Sequence, residues 1–251
     1  MLARRRLGRV LQNSLPRPIR HWRTRRALGR VAPCVWLLPD DVIWIGIPKV
    51  CTNSIGSALY EWATGSEVRG VAAAALGRQK YGAQLAAAEV ATLNRGTYRF
   101  AFVRNPLERL ESLFRNRIGD PRTATAHHTT VAYRAYGLAP GMRFEAFVRA
   151  IAKIRDRDAE THFRSQSCFL THRGRLTVDY LGRFESLNLD WNVLADRFGF
   201  PKLPRLNSTR KRMATPSSCT RRTAEMAAER YAGDIARFGY DAVVQDFIDS
   251  L

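Results

Sequence analysis

The chain has 251 residues, 45% of them hydrophobic, enough to bury a sizeable core in one large α/β domain or two small ones. Lysine and arginine number 41 against 22 acidic residues, and the net charge of +19 calls for anionic partners: a nucleotide, an acidic polymer or a negatively charged surface. Four scattered cysteines (Cys34, Cys51, Cys168, Cys219) form no CxxC pair and no zinc spacing, which argues against a structural metal and a disulfide framework and predicts reduced thiols in a cytoplasmic protein.

Residues 1–30 hold ten arginines and no acidic residue. Leu7, Val10 and Leu11 share a helical spacing ahead of Pro16. The segment therefore reads either as a solvated basic arm or as an amphipathic contact for a membrane surface or a polyanion. The apolar patch "VAPCVWLLP" is interrupted by Pro33 and followed by Asp40 and Asp41, so it does not read as a cleaved signal. No apolar run reaches the ~18–20 residues that span a bilayer. Residues 31–251 read as one domain.

From residue 41 strands and helices alternate. "DVIWIGI" (41–47) predicts a buried strand, residues 53–63 a helix and residues 83–94 a second helix. "YRFAFV" (98–103) predicts a strand, and Pro106 suits the first turn of the helix that follows. Residues 119–142 lack periodicity and read as a long loop. An amphipathic helix is expected over 143–154, a strand over 176–184 and a helix over 186–198. A basic irregular stretch covers 203–219, and helices are expected over 220–237 and 241–250. This alternation implies a mainly parallel central sheet flanked by helices, a three-layer α/β sandwich.

Two stretches carry chemistry. In "IWIGIPKVCTNSIGSAL" (43–59) a strand runs into a helix through one lysine and several small polar residues. A helix N-terminus presents backbone N–H groups and partial positive charge to an anion. Lys49 adds a full charge, and Thr52, Asn53 and Ser54 add donors. The stretch lacks the GxxxxGK[ST] pattern of a Walker A loop, which argues against a kinase. By itself it also fits an ordinary helix start capped by Thr52 or Asn53. The second stretch, "FAFVRNPLERLESLF" (100–114), sets Arg104 at a strand's C-terminal end, where open α/β sheets bind ligands. Ser112 follows eight residues later, about two helical turns on.

Together these stretches resemble the phosphosulfate-binding motifs of sulfotransferases that use 3'-phosphoadenylyl sulfate. "IPKVCTNSI" is similar to the 5'-phosphosulfate loop and "FVRNPLERLESLF" to the 3'-phosphate motif. The closest group is sulfotransferase family 2, the carbohydrate sulfotransferase superfamily. "HFRSQSCFL" (162–170), "VDYLGRFESL" (178–187), "LPRLNST" (203–209) and "YAGDIARFGYD" (231–241) agree with it. The resemblance covers roughly residues 41–241 and implies a P-loop-like fold. It implies that Lys49 contacts the 5'-phosphate and bridging oxygen, and that Cys51, Thr52, Asn53 and Ser54 cradle the phosphate. It also implies that Arg104 and Ser112 hold the 3'-phosphate and that Arg210 or Lys211 closes over the nucleotide. Cys51 stands where Ala or Gly is usual, and Asn53 replaces a hydroxyl residue.

The implied reaction moves a sulfuryl group from 3'-phosphoadenylyl sulfate to a hydroxyl, with a saccharide as the expected acceptor, without a metal. Net positive charge favours an anionic acceptor. Nothing in the sequence is a nucleic-acid recognition motif. The acceptor's proton needs a general base. Of the five histidines, His162 matches a family position and lies near Glu160, while His127 and His128 sit in the long loop. Tyr81 stands where bacterial relatives often carry a histidine. That leaves open a relocated base or a degenerate nucleotide- or polyanion-binding protein of the same fold.

Overall fold

Asp40 and Asp41 both take positive φ, 54° and 57°, and turn the chain from β1 (Cys34–Leu37) back along β2 (Val42–Gly46). Two successive left-handed residues match the right-handed twist of an antiparallel pair, and aspartate tolerates that conformation well. Leu37 lies opposite Ile43 and Trp36 opposite Trp44. The computed structural model describes residues 34–93, 96–119, 133–204, 206 and 219–251. The N-terminal arm of residues 1–30 lies outside these.

After β2 come α1 (Thr52–Thr64), α2 (Gly70–Tyr81), β3 (Gly82–Gln84), the short α3 (Ala87–Val90) and β4 (Tyr98–Val103). Then follow α4 (Pro106–Arg117), α5 (Phe144–Ala152), the short α6 (Ser167–Leu170), β5 (Thr171–His172), β6 (Arg175–Leu176) and β7 (Tyr180–Arg183). Helices α7 (Leu187–Phe198), α8 (Arg221–Arg230), α9 (Ala232–Phe238) and α10 (Asp241–Asp249) complete the described chain. No described helix is long and apolar enough to cross a membrane.

The chain divides into two compact units, one running to Val103 and resuming over 168–208, the other comprising 104–167 and 209–251. The first unit holds a five-stranded sheet of order β3-β1-β2-β4-β7. Its β2–β4 and β4–β7 pairs are parallel, whereas β1–β2 and β1–β3 are antiparallel. The expected mainly parallel sheet is therefore a mixed one, parallel in half its pairings. The hairpin is the cause: its tight turn leaves no room for the crossover that a parallel neighbour needs.

Trp36, Trp44, Phe100 and Phe102 lie on one face of this sheet, as their register requires. Helices α1, α2 and α7 cover that face. Trp36 and Trp44 meet edge to face at 5.0 Å, and Phe102 packs against Trp191 of α7 at 6.4 Å. Trp62 of α1 meets Phe200 edge to face, and Phe200 stacks on Trp191. Residues of the other face, including Val35, Ile43, Ile45 and Ala101, are buried too.

The helix expected at 83–94 shrinks to the four-residue α3 behind β3, and α2, which no expectation covered, precedes them. The α2 sequence, GVAAAALGRQKY, is alanine-rich and favours helix without marking an apolar stripe. Small residues let α2 lie against Trp36. A β-carbon on Gly77 would sit 2.3 Å from that ring.

The second unit is helical. Leu110 and Leu113 of α4, Phe144, Phe147, Val148 and Ile151 of α5, and Ala227 of α8 form its core with Phe163 and Tyr231. Helix α8 packs on α4, α5, α9 and α10. The single helix expected over 220–237 breaks at Tyr231, where the backbone leaves the helical region. The expected strand at 176–184 shortens to β7, because Leu176 pairs with Thr171 in a separate two-stranded hairpin.

Gly77→Ala is expected to destabilise the protein by about 1–3 kcal/mol through overpacking against Trp36. Urea unfolding measures this, and an unchanged midpoint would remove the account of α2.

Candidate active site

In the first unit β2 ends at Gly46, and Ile47 and Val50 are buried on either side of half-buried Pro48 and Lys49. The amide of Val50 donates to the Ile47 carbonyl at 3.3 Å, closing a tight turn. Lys49 and Cys51 both take positive φ, 70° and 48°. Non-glycine residues avoid that region, and such strain gathers where a backbone must present itself to a ligand. Cys51 then serves as the N-cap of α1 in a left-handed conformation and makes no side-chain cap bond. The expected cap by Thr52 or Asn53 is thus corrected: both lie inside the helix.

Thr52 and Asn53 are half-buried at this start. Ser54 is buried, and its hydroxyl donates to the Leu206 carbonyl at 3.5 Å. Helix α4 offers a contrast. Its Asn105 side chain accepts from the amides of Leu107 and Glu108, so that helix start is closed by its own residue. The start of α1 has no such side-chain cap.

In the second unit Arg104 is buried at 7% exposure, and its Nε and Nη2 donate to Glu108 Oε2 at 3.3 and 3.1 Å. Its backbone is held from both ends. The Arg104 amide donates to Gln166 Oε1 at 3.0 Å, and Gln166 Nε2 donates to the Arg104 carbonyl at 2.8 Å. Asp234, fully buried, accepts from the amides of Gln166 and Ser167 at 2.6 and 2.8 Å. Ser112 is half-buried on α4, two turns beyond Arg104.

The segment around His162 is fixed just as tightly. Fully buried Arg109 donates to the carbonyls of Arg164 and Thr161 at 2.9 and 3.1 Å. The Tyr231 hydroxyl donates to the Phe163 carbonyl at 2.7 Å, and burial pushes its pKa up to about 12, so it remains a donor. His162 Nδ1 lies 2.8 Å from Glu160 Oε1, and its amide donates to Glu160 Oε2 at 2.9 Å. Arg117 Nη2 lies 3.4 Å from His162 Nε2. Glu160 also accepts from the Thr161 hydroxyl at 2.8 Å and from Tyr133 at 3.4 Å. Burial opposes its ionisation, but the hydrogen bonds and charge of His162, with the Thr161 hydroxyl, outweigh this and hold the carboxyl down to about 2.

Tyr81 is buried, and its hydroxyl donates to the Ala63 carbonyl at 3.3 Å, a bond that ties α2 to α1. His127, His128, Arg210 and Lys211 lie outside the described residues. Among the described residues no cluster of histidine, cysteine and carboxylate side chains has the make-up of a metal site. Gln166, Asp234 and Arg109 hold the backbone around Arg104 and His162; they fall within stretches noted in the sequence, but nothing in those stretches marks these roles.

Because Glu160 titrates below its ordinary value of 4.5, its stabilising contribution is full above that pH and is lost as pH falls toward 2. Urea unfolding is expected to show the wild type losing about 3 kcal/mol across that window. Glu160→Gln should lack this component, and parallel pH dependences for the two proteins would contradict the assignment.

A family model described as the sulfotransferase family matches residues 39–241. No curated protein and no solved structure matches the chain. The match spans most of the sequence and contains the Lys49 turn, helix α4 and the His162 segment. The chain belongs to the sulfotransferase family, whose chemistry is sulfuryl transfer.

Proposed function

We propose that this protein transfers a sulfuryl group from 3'-phosphoadenylyl sulfate to a hydroxyl of a carbohydrate acceptor. The observation that carries the reading is the strained Lys49–Cys51 turn opening a 13-residue helix with no side-chain cap. Its residues fit a phosphate group: one cation, the partial positive charge of a long helix and a half-buried Thr52 and Asn53. Ser54 fits less directly, because its hydroxyl already faces the Leu206 carbonyl. Bound there, the donor supplies the sulfuryl group and a phosphate leaving group.

In this reading Lys49 and the first amides of α1 stabilise the charge that grows on the leaving phosphate oxygen. Arg104 and Ser112 recognise the 3'-phosphate. A guanidinium has five donors, and Glu108 takes two of them from Arg104 while orienting the group. His162 accepts the proton of the acceptor hydroxyl. The strong positive charge of the chain favours an acceptor that is itself anionic.

The reading is tested with labelled donor, a neutral hexose disaccharide and an unsulfated uronic acid–hexosamine disaccharide. Sulfation is expected, with the acidic sugar preferred. Tight nucleotide binding with no transfer would point to a degenerate binding protein. Lys49→Ala is expected to lower kcat on the order of 10²–10³-fold with the fold intact. A wild-type rate and nucleotide affinity in that variant would remove the role of the turn.

Calorimetry on Arg104→Ala and Ser112→Ala provides a second test. Both are expected to weaken 3'-phosphoadenosine 5'-phosphate far more than adenosine 5'-phosphate, and Arg104→Ala more than Ser112→Ala, because its contact is charge-assisted. Equal losses for both nucleotides would mean that these residues do not read the 3'-phosphate.

A further inference from the structure

Both ring nitrogens of His162 have defined neighbours, and together these fix its tautomer. Arg117 can only donate, so the Nε2 that lies 3.4 Å from its Nη2 must present a lone pair. The proton of the neutral ring is then on Nδ1, 2.8 and 3.1 Å from the two oxygens of Glu160. Glu160 is only 8% exposed. Its carboxylate accepts from the His162 ring, the His162 amide, the Thr161 hydroxyl and Tyr133. Arg109 pins the carbonyl of Thr161 between the two residues. Such a carboxylate, buried and surrounded by donors, has little freedom to turn away from the ring.

We propose that Glu160 is the positioning residue of a Glu160–His162 pair, holding the imidazole with Nε2 as the proton-accepting atom. The proposal rests on His162 being the general base. The acceptor O–H proton passes to Nε2 as the hydroxyl oxygen forms its bond to sulfur. The bond between sulfur and the bridging phosphate oxygen breaks, and that oxygen keeps the electron pair. Nδ1–H stays on its nitrogen and donates to Glu160 throughout, and the carboxylate stabilises the imidazolium that forms. The acceptor hydroxyl takes over the Nε2 lone pair from Arg117, whose Nη2 lies 3.4 Å away and must give up that contact.

An amide cannot do the same work. It offers one acceptor oxygen where four donors converge, and its NH₂ group favours the opposite tautomer. Charged and titratable groups around the pair among the described residues include Arg117, Arg109, Tyr133 and Tyr136. Removing the Glu160 charge from this set, with two guanidiniums left, disfavours the imidazolium. The ascending limb of the pH–rate profile should therefore move to lower pH.

The test is a double-mutant cycle of His162→Ala, Glu160→Gln and the double variant, assayed with the donor and the uronic acid–hexosamine disaccharide. Wild-type protein is examined in parallel by ¹⁵N NMR of its histidine rings. Expected results are a fall in kcat on the order of 10²-fold for Glu160→Gln with unchanged affinity for 3'-phosphoadenosine 5'-phosphate. No further loss is expected when Glu160→Gln is added to His162→Ala. The NMR spectrum should show a proton on Nδ1 of His162 and none on Nε2 at high pH. An inactive His162→Ala beside a fully active Glu160→Gln would overturn the pairing alone. So would additive losses, or a proton on Nε2, a readout that does not depend on either variant folding. A wild-type kcat in His162→Ala would overturn the base assignment and the pairing with it.

Discussion

Strands β2 and β4 run parallel and in register, with Val42 opposite Tyr98 and Ile45 opposite Ala101. Parallel pairing sends both strands toward the same edge of the sheet, so the chain leaves that edge once at Gly46 and once at Val103. After Gly46 it enters the Lys49 turn and α1; after Val103 the next residue is Arg104. The antiparallel hairpin of β1 and β2 anchors the first exit, and its aspartate turn sets where β2 begins. The edge at which parallel strands end is where open α/β sheets take ligands.

Within the second unit the constraint is of a different kind. Backbone groups around His162 are held by buried side chains in place of regular secondary structure. Asp234 takes two amides, Arg109 two carbonyls and Tyr231 a third carbonyl. An irregular segment buried without such partners would leave polar groups unsatisfied at a cost of about 1–3 kcal/mol each. The same bonds that settle this account make the segment rigid. A rigid segment holds the His162 imidazole against the Glu160 carboxylate with little scatter.

The sequence was most legible where local rules act alone. Strand β4 begins and ends where "YRFAFV" does, and α4 starts at Pro106 behind a capping asparagine. Strand β1 was hidden within a patch that reads only as apolar, because its partner is needed to reveal it. Helix α2 shows no stripe, since it packs through alanine and glycine against one tryptophan. Of the candidate residues, Lys49, Arg104 and His162 could be singled out from their surroundings in the chain. Gln166 and Asp234 could not, because Gln166 meets Arg104 across 62 residues and Asp234 meets Gln166 across 68. Cys51 looked like a departure from Ala or Gly; its left-handed backbone suits glycine, and cysteine adopts it at some strain.

The central proposal is that the protein binds a nucleotide that carries phosphates at both its 3' and 5' positions. Isothermal titration of the wild-type protein with 3'-phosphoadenosine 5'-phosphate, adenosine 5'-phosphate and ATP tests it most directly. The account predicts that the bisphosphorylated nucleotide binds at least tenfold more tightly than either of the others, with no added metal. Equal affinity for all three, or a preference for ATP, would contradict it.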